Sequence, residues 1–447
     1  MGVRALPQIE NKNNEIIIKE AEENYKSKKY DTAYPIYKNI WENLKINDPY
    51  TLFKYGNVLR KNNLSAIFLE IYKNYDLTNV TEKQKGYINR ILSWCLYDTF
   101  IKIYDIKDVD TYNDFISVAH QILEIQNVYK HNYYDSAYVK TCLKVSKTIM
   151  KRTTTPNYKE VIWWLELLEV DKLSDEPFPF KDKNDDDREL ASDKETYYQY
   201  LSRSYEKIND YSKCYEICER AIEDIGKFHY RNHIWINERK LYCCCFIYSD
   251  VEKSLKEYSI FVEKNRKCYM FHKLANLNFS HGKIANSVLC GSKALLLETD
   301  IPKIVNLLAD LAYYWREFGN STNAKKFFYA CIYYRVKRHW QLSQELNYEK
   351  QQYNFTFNEE PDFNELIQIS NQYIGSGNKS KILSGRIINI NIEKQFGFIK
   401  QDSCTENIHF SFRNVIEKKV LHDNCRIIYE EIIDSRNMKD AINVRGE

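Results

Sequence analysis

Small and aromatic residues return at fixed offsets through residues 15–345, and this spacing constrains the fold more than any other feature of the chain. One copy is Ala21, Asn24, Tyr30, Ala33, Tyr37 and Ile40. The offsets return in Ser202, Tyr205, Tyr211, Cys214, Cys218 and Ala221, and in Ala275, Asn278, Ile284, Ser287, Gly291 and Ala294. They return again in Ala312, Trp315, Ser321, Ala324, Phe328 and Cys331, and more loosely in Gly56, Leu59, Phe68 and Tyr72. Small residues let one helix of a pair approach the next, and large ones fill the groove beside them. The 447 residues hold only 12 Gly and 8 Pro, which favours helices over an all-β body. Tyr, at 37, suits helices with shallow cores, because the ring packs while its hydroxyl stays wet.

This spacing resembles the tetratricopeptide repeat, whose period is about 34 residues. Ser254, Ser287 and Ala324 are spaced close to that period. The resemblance implies an α-solenoid whose groove takes a protein or peptide partner. Pro35 falls inside the second helix of the first pair, so that helix is expected to kink or to start late. Residues 87–170 read as helical from Ile88, Ile91, Leu92, Cys95 and Leu96, but fall out of phase with the repeats.

Two breaks divide the chain. Residues 171–187 hold Pro177, Pro179 and the run Asp182-Lys183-Asn184-Asp185-Asp186-Asp187. They read as an exposed acidic loop between a helical block at 15–170 and a tetratricopeptide-like block at 188–374. A terminal helix pair, interrupted by Pro361, is expected between Gln344 and Ile374. The stretch Gly375-Ser376-Gly377-Asn378-Lys379-Ser380 reads as a flexible linker, spanning 375–382.

Residues 383–447 change character. Lys394-Gln395-Phe396-Gly397-Phe398-Ile399-Lys400 reads as a strand. Alternation places Lys394, Phe396, Phe398 and Lys400 on one face, and Gln395, Gly397 and Ile399 on the other. Aromatics bracketed by cations suit a surface that stacks bases and holds phosphates. With Ile408-His409-Phe410-Ser411, Gly385-Arg386-Ile387-Ile388 and Ala441-Ile442-Asn443-Val444, this run resembles the cold-shock domain from about Leu383 to Glu447. The resemblance implies a five-stranded barrel with an oligonucleotide-binding fold, so the whole chain is expected to be mainly α, a tetratricopeptide-like solenoid followed by that barrel. It also implies that Phe396, Phe398, His409 and Phe410 contact bases of single-stranded RNA or DNA. Lys394, Lys400 and Arg413 are the candidate phosphate contacts.

The chain departs from that family at three places. Asn389 and Asn407 stand where the family has aromatics, and Gln395 stands where it has glycine. Each lost platform removes roughly 1–3 kcal/mol per base. Acidic and basic residues are equal in number from Leu383 to Glu447. Weaker or more selective binding than a full cold-shock surface gives is therefore expected.

Arg335, Arg338 and His339 share i, i+3, i+4 spacing near Trp340 and form a candidate second basic patch. The preferred reading is a basic helix terminus that complements the macrodipole. Cys214, Cys218 and Cys243-Cys244-Cys245 lack paired metal-ligand spacing and read as buried apolar residues. Asp185-Asp186-Asp187 lacks the glycine and terminal Glu of a calcium loop. No catalytic motif, metal or cofactor is expected. The net charge of +3 predicts no polyanion partner by itself, so binding must come from local patches. No leader or membrane span is visible, and 12 Cys read as reduced and cytoplasmic.

Joined, the parts suggest an adaptor that brings a protein partner to single-stranded RNA or DNA. By resemblance alone, similar fusions look bacterial and can accompany mobile-element conflict or phage-defence genes. The alternative is a protein-interaction scaffold whose barrel binds no nucleic acid. A third class, an enzyme with its site in the solenoid groove, would need titratable groups clustered in a deep pocket.

Overall fold

The structure is a computed structural model that describes residues 6–105, 110–127, 136–152, 155–377, 382–402, 407–415, 420–433 and 439–446. The chain is mainly helical, with a five-stranded sheet toward its C-terminus. It divides into two compact units, Met1–Ile247 and Tyr248–Glu447. Among the described residues no helix is long and apolar enough to cross a membrane.

In the first unit, helices Leu6–Lys26 and Tyr30–Glu42 pack together through the small repeat positions. Ala21 and Ala33 are fully buried, with Tyr37 and Ile40 filling the space beside them. The second helix begins before Pro35 and runs through it, so the expected late start is not found. In the next pair, Pro49–Lys61 and Ser65–Lys73, the Phe68 ring lies where a Gly56 side chain would stand. Further on, Asp193–Lys207 and Tyr211–Asp224 bury Ser202, Tyr205, Cys214, Cys218 and Ala221.

Among the described residues of 82–166 most are helical, in separate helices rather than phased repeat pairs. Helix Glu82–Leu96 starts on a capping box formed by Thr81 and Gln84. It then runs into a wider turn, Tyr97–Ile101, closed by Lys102 N–H donating to the Tyr97 carbonyl at 2.7 Å. A π turn takes an extra residue, so this helix ends out of step with the 3.6-residue period. Helices Tyr112–Asn127, Ala137–Arg152 and Tyr158–Glu166 follow.

The expected acidic loop is instead mostly a β-hairpin. Strands β1 (Phe178–Lys181) and β2 (Asp187–Leu190) pair antiparallel, Phe178 opposite Leu190 and Lys181 opposite Asp187. The acidic run forms the turn. Asp182 Oδ1 accepts from the amides of Asn184 (2.8 Å) and Asp186 (3.2 Å), and Asp185 takes φ +63°. Asx-type bonds make a turn of what composition reads as loop. Pro179 is tolerated because a two-stranded ribbon has free edges. The hairpin does not part the helical body. Lys140 pairs with Asp193 at 2.8 Å, joining helices on either side of it, and the division falls after Ile247.

In the second unit, helices Val251–Asn265, Cys268–Ser280, Ile284–Leu295, Ile301–Glu317 and Ser321–Lys337 follow in turn. Ala275, Ser287, Ala294, Ala312, Ala324 and Cys331 are buried where they pack. The expected terminal pair is Gln344–Gln352 and Phe363–Gly377, with Pro361 between them. Tyr373 of the last helix donates to the Ala285 carbonyl at 3.1 Å and sets its ring 5.0 Å from Trp315. Gly375, Ser376 and Gly377 belong to this helix and not to a linker; 378–381 lie outside the described residues.

The sheet comprises β3 (Ile382–Asn391), β4 (Phe396–Gln401), β5 (Asn407–Ser411), β6 (Arg426–Ile433) and β7 (Lys439–Gly446). β3 pairs with both β4 and β6, β4 with β5, and β7 with β6 antiparallel and β5 parallel. Ile387, Ile399, Ile408, Phe410, Ile427 and Tyr429 are buried together on one face.

Candidate nucleic-acid interface

β4 alternates as its sequence demands. Gly397 and Ile399 face the core, while Phe396 and Phe398 are half-buried and Lys400 is exposed on the other face. The register sets His409 of β5 directly against Phe398. The three rings form one cluster. Phe396 and Phe398 have centroids 5.8 Å apart and meet edge to face; His409 lies 5.4 Å from Phe396 and 5.7 Å from Phe398. Residues i and i+2 of one strand and a cross-strand partner are the positions a pleated sheet brings onto one face. A cluster of partly exposed rings offers stacking surface that does not depend on base identity.

Phe410 does not join them. It is fully buried and packs against Phe412, with centroids 6.2 Å apart. Being next to His409 in a strand, it must point to the opposite face. A Cβ at Gly397 would stand 2.7 Å from two Phe410 ring atoms, so the missing side chain of one residue makes room for the ring of the other. Phe410 is a core residue, and the expected base contact there is corrected.

The turn before β4 also differs from expectation. Residues 392–395 form the connection, so Lys394 and Gln395 do not continue the strand. The Lys394 amide donates to Asn391 Oδ1 at 2.9 Å, and Gln395 adopts φ +56°. Gln395, not a glycine, thus holds a left-handed backbone position, a conformation costing an L-residue about 1–2 kcal/mol. Asn389 is exposed at φ +52°, within a register shift between β3 and β4. Asn407 is exposed and faces Lys400. Arg413 lies in the short turn Phe412–Asn414 just after β5.

Two cations were missed by the sequence reading. Arg386 of β3 pairs in register with Lys400 on one side and with Arg426 of β6 on the other. Alternation about Ile387 places Arg386 outward, but only the strand pairing brings Arg426 beside it.

The second basic patch does not form as spaced. The helix ends at Lys337, and His339 lies beyond it at φ +55°. Arg335 donates to the Gln341 carbonyl (2.9 Å) and to Asn306 Oδ1 (2.6 Å), holding the chain after the helix. Arg338 lies over Trp340 at 5.3 Å. Cys214, Cys218, Cys243, Cys244 and Cys245 are buried thiols. The Cys214 thiol donates to the Ser202 carbonyl at 3.2 Å. Burial pushes the Cys95 thiol up to about 12, so it stays protonated and unreactive at neutral pH.

No family model matches the chain. No curated protein matches it. Among solved structures, it is similar to the C-terminal part of a TPR repeat-containing protein from Cytophaga hutchinsonii, with 10% identity and a TM-score of 0.30, covering 68% of this chain and 98% of that one. It is also similar to the human IFIT1 dimer with m7Gppp-AAAA, with 11% identity, a TM-score of 0.32 and 80% of each chain covered. Likeness this remote says nothing about activity.

Proposed function

We propose that this chain is an adaptor. Single-stranded RNA or DNA binds across the C-terminal sheet, which we read as an oligonucleotide-binding barrel of cold-shock type. A protein or peptide partner binds the tetratricopeptide-like helices. The observation that carries the reading is the Phe396–Phe398–His409 cluster, three rings within 5.8 Å of each other beside an exposed Lys400. Aromatic side chains on a strand face usually serve the core. Here the core is filled by Phe410, Ile399 and Ile408, leaving this cluster for another role.

For the partner, the helices of the second unit leave an open groove of about 770 Å³. It is edged by Lys253, Lys256, Ile260, Asn286 and Lys293, a mixed surface of the kind that takes an extended segment. The free thiols suit a reducing compartment.

The test is fluorescence anisotropy of the full chain with labelled pyrimidine-rich RNA and DNA. Replacing Phe396 and Phe398 with Ala should weaken binding by on the order of 2–6 kcal/mol, at about 1–3 per stacked base. If wild type binds neither oligonucleotide, or the double variant binds as wild type does, the scaffold reading takes over. Asn389 and Asn407, which shrink the platform, already favour that reading. In it a pull-down from cells should recover protein without nucleic acid.

A further inference from the structure

At one end of the aromatic cluster four residues lie side by side across the sheet. Arg426 of β6 faces Arg386 of β3, Arg386 faces Lys400 of β4, and Lys400 faces Asn407 of β5. The neighbours Gly385, Ile387, Ile399, Ile408 and Ile427 are buried, so the three cations stand on the opposite, outward face. Phe398 is two residues before Lys400 and shares that face. The cations span two strand spacings, about 9.6 Å.

Like charges directly opposite one another destabilise a sheet. The described residues offset this only in part. Asp402 pairs with Arg426 at 3.2 Å and also accepts from Ser384 Oγ at 2.7 Å. Arg386 reaches only the Asn424 carbonyl, at 3.4 Å. The Lys400 side chain has no ion pair among the described residues. The balanced charge of this region conceals the row, because Glu430 and Glu431 lie farther along β6 and Asp440 lies on β7.

We infer that Arg426, Arg386 and Lys400 form a phosphate-binding row, which holds the backbone of a single-stranded nucleic acid whose bases stack on Phe398, His409 and Phe396. The inference rests on the nucleic-acid reading above and assigns the direction of the strand: it crosses β4, β3 and β6 at the Lys400 end of the cluster. The row is long enough for two consecutive phosphates. Arg386 and Arg426 present planar forks suited to phosphate oxygens, and Lys400 acts as a point charge.

The experiment measures anisotropy of labelled RNA with the full chain over a salt series, for wild type, Arg386→Gln, Lys400→Gln, their double variant and Phe396→Ala/Phe398→Ala. A labelled heparin fragment is the polyanion control. Each single Gln substitution should flatten the plot of log affinity against log salt by about 0.7, the value per phosphate contact on a single strand. The loss should be uniform across oligonucleotide sequences. Thermal unfolding of Arg386→Gln should be no lower than wild type, since no carboxylate pairs with Arg386 among the described residues and the substitution relieves its repulsion with Lys400 and Arg426. If the Gln variants keep the wild-type slope while the Phe variant loses binding, the row is overturned and the stacking platform stands. If the Phe variant binds as wild type while the Gln variants lose slope, the row stands and the stacking reading falls. If wild type does not bind RNA, or binds heparin as tightly, both the row and the nucleic-acid reading are overturned.

Discussion

Replacing Gly397 with Ala should loosen the sheet without touching its exposed face. The added Cβ would stand 2.7 Å from Cε1 and Cζ of Phe410 and 3.6 Å from the Ile390 Cα. Real Cβ atoms do not approach that closely, so the Phe410 ring must move. It cannot move freely: it is fully buried among Ile387, Ile399 and Ile408. Overpacking of this kind costs about 1–3 kcal/mol. The sheet contains no Trp, so whole-chain fluorescence would miss the change. Hydrogen exchange of peptides covering β4 and β5 reads it directly. Exchange there should speed up by about 5- to 150-fold, at about 1.4 kcal/mol per tenfold, while peptides from the helices keep their rates. Adding Phe410→Leu to Gly397→Ala should recover part of the loss, because the smaller side chain gives the methyl room. Unchanged exchange in Gly397→Ala would refute the reasoning, as would a double variant worse than the sum of the singles.

Further outcomes follow from the same structure. Gln395→Gly should slow exchange in β4 by up to several-fold: relief of the left-handed conformation exceeds the entropy lost by glycine, for a net gain below about 1 kcal/mol. Faster exchange would count against it. Gly56→Ala should destabilise the helices more than Gly291→Ala, by thermal unfolding. The first Cβ would meet the Phe68 ring at 2.5 Å and Ile91 at 2.7 Å, whereas the second meets mainly the end of Leu311 at 2.8 Å. Equal shifts would contradict this ordering. Arg335→Ala should cost on the order of 0.5–1.5 kcal/mol of stability through its lost bonds to Gln341 and Asn306. It should leave oligonucleotide affinity unchanged; a drop in affinity without a drop in stability would restore the second basic patch.

Several elements were legible from local pattern alone. The helix pairs at Ala21/Ala33, Ala275/Ser287 and Ala312/Ala324 follow from small residues at repeated offsets, since only small side chains let helices approach closely. The outward Phe396 and Phe398 with inward Ile399 follow from the two-residue period of a strand. Other features were not legible, for physical reasons that differ case by case. The wide turn that ends the helix at Tyr97–Ile101 takes an extra residue, which no periodic template carries. The hairpin at Phe178–Leu190 arises from side-chain bonds of Asp182 to the turn, which composition reads as loop. Phe410 looks like a stacking residue beside His409, yet strand geometry turns neighbours to opposite faces, and Gly397 opens the core for its ring.

By itself, then, the sequence determined what each segment buries: the period of its apolar and small residues is a local property, read along the chain. It determined the helical body, the strand character of residues 396–400 and the pair of outward, half-buried rings there. Only the tertiary structure decided which strands lie side by side. Arg386 and Arg426 are 40 positions apart in the chain, and nothing along it marks them as neighbours. The β3–β6 and β3–β4 registers place them with Lys400 in one row, because cross-strand position is set by pairing and not by sequence distance.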